Sequence, residues 1–138
     1  MEIKIINGGL SVDDRGSVTF VNDFDFSNVK RFYVVENHRC GFIRAWHGHE
    51  KEGKYVFVVS GTALIGAVKM DEDSAKKFVL SDRNPKVLYI PPGYANGFKT
   101  LEENTKIIFY STSTLQDSLG DDIRFPYDKW NIWQEDYR

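Results

Sequence analysis

His47 and His49 stand two residues apart in the run Gly41-Phe-Ile-Arg-Ala-Trp-His-Gly-His49, with Arg44 before them and Lys54 shortly after. Residues two apart on a strand share a face, so the two histidines are expected on one side, together with Ile43 and Ala45. Such a pair serves as two metal ligands, as a general base with a helper, or as two unrelated polar residues at a strand end. A divalent ion of borderline softness asks for further imidazole or carboxylate donors. Lys54 instead brings an ammonium close, which repels a cation and stabilises an anion.

Short strands and tight turns must position these groups. Phenylalanine, tyrosine and valine are abundant, 11 glycines punctuate the apolar runs, and long stretches of 3.6-residue periodicity are scarce. That pattern predicts an all-β domain. Strands are expected over residues 3–6, 17–21, 29–36, 41–47, 54–60, 62–70, 76–80, 86–90, 95–100 and 105–112. Asp13-Asp14-Arg15-Gly16 reads as a tight turn, since aspartate bonds back to its own backbone and glycine supplies positive φ. Val59-Ser60-Gly61-Thr62 reads as a hairpin on the same ground, and Pro91-Pro92-Gly93 as an abrupt strand end. From about residue 113 to 138 the chain becomes polar and then aromatic, and this irregular tail is expected to pack over the strands.

At 138 residues the chain is read as a single domain, 1–138, with one core. Its 18 basic and 20 acidic residues give a net charge of -2, which offers no broad positive field for nucleic acid or for a membrane surface. Cys40 is the one cysteine. It has no partner for an internal disulfide, and is expected as a buried strand residue in a reducing, cytoplasmic setting. No stretch approaches the ~20 apolar residues of a membrane span, and the N-terminus lacks the pattern of a signal peptide. The expectation is a soluble, unexported protein.

Gly41 to His49 has the spacing Gly-x5-His-x-His and leads into a strand ending at Gly61. Pro91-Pro-Gly-Tyr-Ala-Asn96 has the form Pro-x-Gly-x2-His with asparagine at the last position. Together these resemble the two half-motifs of the cupins, and the resemblance implies a small jelly-roll-like β-barrel. Metal-binding cupins use three histidines and a glutamate. Here Asn96 takes the place of the third histidine, the glutamate position falls at Gly53 or Lys54, and Glu52 comes one residue early. Neither a metal nor another cofactor is expected.

Further segments are similar to the nucleotide-sugar cupins, namely the dTDP-4-dehydrorhamnose 3,5-epimerases and the dTDP-4-keto-6-deoxyglucose 3,4-ketoisomerases. Asp14-Arg15-Gly16 and Arg44-Ala-Trp-His47 resemble segments of both, while Gly53-Lys-Tyr-Val-Phe-Val-Val-Ser-Gly61 and Ile90-Pro-Pro-Gly-Tyr-Ala-Asn-Gly-Phe98 carry the likeness to the epimerases. Val29-Lys-Arg-Phe-Tyr33 and the His47, His49 pair look more like the ketoisomerases. The epimerases' Asp-Tyr-Tyr segment is replaced by Ser111-Thr-Ser-Thr-Leu115, which favours the ketoisomerase reading.

The resemblance implies a metal-independent isomerase of a nucleotide-linked 4-keto-6-deoxyhexose, a 3,4-ketoisomerase first, with a 3- or 3,5-epimerase and a non-catalytic sugar-nucleotide-binding cupin as alternatives. The keto group acidifies its neighbouring C–H bonds, a neutral imidazole removes the proton, and the enolate oxygen needs a nearby cation or donor. His47 is the expected base, Lys54 the enolate stabiliser and His49 the second proton carrier or orienting group. Tyr33 or Tyr110 is expected to supply a proton. Arg15 and Arg44 suit the diphosphate, because a guanidinium grips phosphate oxygens in two places; Asn96 and Tyr110 complete the substrate-binding set. A nucleotide sugar is the expected partner, and a homodimer the expected assembly, with Ile3 to Ile6 as a candidate exchanged strand.

Overall fold

The computed structural model covers all residues 1–138. In chain order its elements are β1 (Lys4–Asn7), β2 (Gly9–Asp13), β3 (Gly16–Phe20), β4 (Arg31–Glu36), β5 (Ile43–His49), β6 (Lys54–Ser60) and β7 (Thr62–Lys69). Then come β8 (Lys76–Ser81), β9 (Lys86–Ile90), β10 (Tyr94–Thr100), β11 (Lys106–Ser111), α1 (Leu115–Leu119) and β12 (Ile123–Arg124). One antiparallel sheet has the order β1-β9-β6-β11-β4 and a second the order β12-β5-β10-β7-β8, with β2 and β3 as a separate two-stranded ribbon. This is the cupin jelly roll.

Alternation along the strands builds the core between the sheets. On β11, Ile107 and Phe109 are buried while Ile108 and Tyr110 between and beside them look outward. Val56 and Val58 of β6, Leu88 and Ile90 of β9, Ile65 of β7 and Phe98 of β10 join them in one cluster. No helix is long and apolar enough to cross a membrane.

Three expectations need correction. Gly61 does adopt positive φ, 82°, but β6 and β7 belong to opposite sheets, so Val59–Thr62 is a corner between layers and not a hairpin. Glycine is required there twice over, since a Cβ would lie 2.2 Å from Thr105 Oγ1. Cys40 is half-buried in a turn, its Sγ 3.7 Å from the Thr100 carbonyl, and not within a strand. The tail, expected to be irregular, contains α1, capped by the Thr114 side chain, and β12, which pairs with β5.

Beyond β12, Trp130 and Trp133 pack with Trp46 on the outer face of the second sheet. Each indole N–H reaches a carbonyl: Trp46 and Trp133 donate to Tyr127, both at 3.0 Å, and Trp130 to Glu72 at 2.8 Å. A buried indole needs such an acceptor, and the tail is thereby tied to the strand that carries the histidines.

Candidate active site

The direction of each side chain on β5 is decided by a bulge. Asn96 of β10 opposes His47, but the next residue, Gly97, opposes Ala45, so Trp46 is an extra residue on β5. A bulge of this kind re-aims everything beyond it. Ile43, Ala45 and Trp46 therefore lie in the outer cluster, while Arg44, His47 and His49 face a cavity of about 330 Å³ between the sheets. The expected grouping of Ile43 and Ala45 with the histidines is overturned, and Arg44 takes their place. Gly97 is the close-approach point, since a Cβ there would meet the Ala45 Cβ at 2.5 Å.

Both layers and the tail line the cavity. The second sheet contributes Arg44, His47, His49, Asn96 and Phe98, the first Arg31, Tyr33, Val35, Lys54 and Phe109, and the tail Ser118, Leu119, Asp122 and Arg124. Three guanidinium groups and one ammonium thus share the walls with a single carboxylate, a field suited to a polyanionic ligand. Asp122 pairs with Arg124 at 3.1 Å, and the hydrogen bond from that guanidinium holds its carboxyl below the usual range.

His47 is half-buried. Desolvation, followed by the charges of Arg124 and Lys54, pushes its imidazole down to about 4, so it is neutral at pH 7 and available to accept a proton. His49 is buried, its Nδ1 against the Asp121 carbonyl and 3.5 Å from Glu52 Oε1. A carbonyl only accepts, so Nδ1 carries the hydrogen; Nε2, buried with no partner of its own, is left with the free lone pair.

Lys54 is buried, with its ammonium 5.8 Å from the ring centres of both Tyr33 and Phe109. Those two rings stack at 5.3 Å and 10°, and the Arg31 guanidinium lies 5.1 Å from the Tyr33 centroid. Asn96 is buried and donates to the His47 carbonyl at 3.4 Å.

Two residues expected at the site lie elsewhere in this chain. Arg15 sits in the exposed β2–β3 turn, bonded to Asp13 at 2.6 Å. Tyr110 follows Phe109 by one residue, so it faces the outside of the first sheet and packs against Phe24, Phe26 and Phe32.

Arg31, Glu52, Asp122 and Arg124 were not anticipated here. Arg31 alternates with Tyr33 and so shares its face, a signal available in the sequence. Asp122 and Arg124 were hidden in a segment read as irregular. Glu52 is fully buried, accepting from Ser111 Oγ at 2.5 Å and Ser118 Oγ at 2.7 Å, with Arg31 at 3.6 Å. Behind the site, the Asp121 carboxylate accepts from the backbone N–H groups of Glu50, Lys51 and Glu52 at 2.8, 2.9 and 3.1 Å. Burial raises its pKa, but these three bonds outweigh that and leave it lowered. They pin the β5–β6 loop to the tail.

A neutral base, a buried ammonium and a cationic wall can remove a proton from carbon, hold the resulting enolate and bind an attached anion. The family model for dTDP-4-dehydrorhamnose 3,5-epimerase matches residues 2–133. The chain belongs to this family of dTDP-sugar isomerases. Among its relatives, the spore coat polysaccharide biosynthesis protein SpsL of Bacillus subtilis is 32% identical, over 71% of this chain and 71% of that protein. The probable low-salt glycan biosynthesis epimerase Agl13 of Haloferax volcanii is also 32% identical, over 92% of this chain and 88% of its own. Among solved structures, the dTDP-4-dehydrorhamnose 3,5-epimerase of Sulfolobus tokodaii superposes with a TM-score of 0.76 at 26% identity, covering 94% of this chain and 81% of that one. Family membership makes the chain an enzyme of the isomerase class.

Proposed function

We propose that the protein is a 3,4-ketoisomerase of a dTDP-linked 4-keto-6-deoxyhexose. The observation that carries this reading is the placement of His47 and His49 side by side on one cavity wall, each with a nitrogen able to accept a proton. His47 takes the proton from C3, the C–H electron pair becomes the C3–C4 double bond, and the former carbonyl pair moves to O4. Lys54 stabilises that oxygen. His49 Nε2 accepts the O3 hydroxyl proton and passes it to O4, and His47 returns the carbon proton to C4. One face of the sugar suffices. Tyr33, whose ring centre lies 5.8 Å from the Lys54 ammonium, is the further proton donor, and Arg44 and Asn96 hold the substrate.

An epimerase of the same substrate class is the second reading. It is favoured by Tyr33, which belongs to the sheet opposite His47 and could protonate the other face of a carbon, and by the similarity to Agl13, a probable epimerase. NMR of the enzyme with dTDP-4-keto-6-deoxyglucose in deuterium oxide separates the two. A 3-keto product labelled at C4 fits the ketoisomerase. A retained 4-keto group with label and inversion at C3 or C5 fits the epimerase. Absence of any exchange or product contradicts both.

A homodimer and a cytoplasmic location complete the proposal. The β2–β3 ribbon exposes Val12 and Val18 at 71% and 63%, with Leu10 and Phe20 beside them, a surface that a second copy would cover. Since β1 pairs with β9 of its own chain, the ribbon replaces Ile3 to Ile6 as the proposed contact. Arg15, at the ribbon's tip, would bind substrate only by reaching a partner's cavity. Size-exclusion chromatography with light scattering is expected to give twice the chain mass; a monomer would remove the dimer and, with it, the role proposed for Arg15.

A further inference from the structure

Glu52 has no place in the reaction as described above, yet it is among the most completely buried charged groups of the chain, 2% exposed. A carboxylate taken out of water is unfavourable unless several donors satisfy it. Here Ser111 of β11 donates to Oε2 and Ser118 of α1 to Oε1, while Arg31 of β4 approaches at 3.6 Å. Oε1 also lies 3.5 Å from Nδ1 of His49, the nitrogen that donates to the Asp121 carbonyl. On the far side of the same ring, Nε2 is buried and unpartnered, and the residue itself lines the cavity.

We infer that Glu52 is a positioning residue, which holds the His49 ring with Nδ1–H inward and Nε2 toward the substrate and stabilises the imidazolium formed when Nε2 takes a hydroxyl proton. The inference rests on the proton path proposed above, in which His47 moves the carbon proton and His49 the oxygen proton. Glu52 never touches substrate. Its carboxylate is locked from three elements, so its charge is already in place when the ring becomes cationic and needs no reorganisation.

The test separates carbon-proton exchange from completed isomerisation. In Glu52→Gln, which keeps size and shape, dTDP affinity and deuterium exchange at C3 are expected to stay within about threefold of the parent. Product formation should fall roughly tenfold to a hundredfold, within what acid–base assistance contributes. Equal losses of exchange and product, or product formation within twofold of the parent, would overturn the inference. A second measurement needs neither substrate nor a variant: long-range ¹H–¹⁵N spectra of the wild-type protein at pH 7 should show His49 protonated at Nδ1 and bare at Nε2. A proton on Nε2 would overturn the inference even if Glu52→Gln failed to fold. Should the wild type neither exchange nor turn over the substrate, the proton path fails, and Glu52 is left positioning the ring only if Glu52→Gln alters the His49 ¹H–¹⁵N pattern.

Discussion

Arg44 and His47 lie three residues apart on β5 and still line the same cavity, because Trp46 is an extra residue in the pairing with β10. The bulge lets one strand present an arginine and two histidines inward while burying a tryptophan outward. In the proposed reaction, anion binding and proton chemistry are thus drawn from a single strand, which packs through Trp46 against Trp130 and Trp133.

Replacing Trp46 by alanine should therefore damage more than the core. Trp46 is fully buried and donates to Tyr127, and large-to-small changes of this kind cost about 3–5 kcal/mol. Urea unfolding should show that loss. Catalytic activity under native conditions should fall as well, because the tail that carries Asp122 and Arg124 pairs with this part of β5.

Arg124 is expected to control the ionisation of His47. After burial, its charge is the largest influence pushing that imidazole down to about 4. In Arg124→Gln the His47 titration, followed by NMR, should move up toward 6.5, and the acid limb of kcat/KM should rise with it, since the neutral form is the base. Stability follows the same sign. With a folded pKa below the unfolded one, His47 contributes fully above about 6.5 and loses that contribution as pH falls toward about 4, so the variant should lose less stability across this window.

Much of this architecture was legible in the sequence. Runs rich in valine, phenylalanine and tyrosine between glycine and proline turns marked nearly every core strand, and the half-motifs marked the cavity's histidines, lysine and asparagine. What was not legible depended on non-local pairing. Gly61 has the same positive φ whether its strands form a hairpin or diverge into two sheets, so only the partners of β6 and β7 could tell. β12 has two residues, too few for a periodicity, and brings Arg124 to His47 only through pairing with β5. The face of Arg44 depends on a bulge that no residue on β5 announces.

Lys54→Met tests the proposed enolate stabiliser with little risk to the fold. The ammonium sits beside the Tyr33 and Phe109 rings, where an unbranched thioether fits with a stability change of about 1 kcal/mol or less. Exchange at C3 should fall on the order of 10²–10³-fold, the effect of removing one preorganised charge from an oxyanion. An unchanged exchange rate would assign Lys54 to binding or packing alone.

The most direct test of the account is the rate at which deuterium enters C3 of dTDP-4-keto-6-deoxyglucose, measured by NMR with wild-type protein and with His47→Asn. Ready exchange by the wild type and a loss on the order of 10²–10⁴-fold in the variant are expected, with dTDP binding retained. No exchange by the wild type, or equal exchange by both proteins, would contradict it.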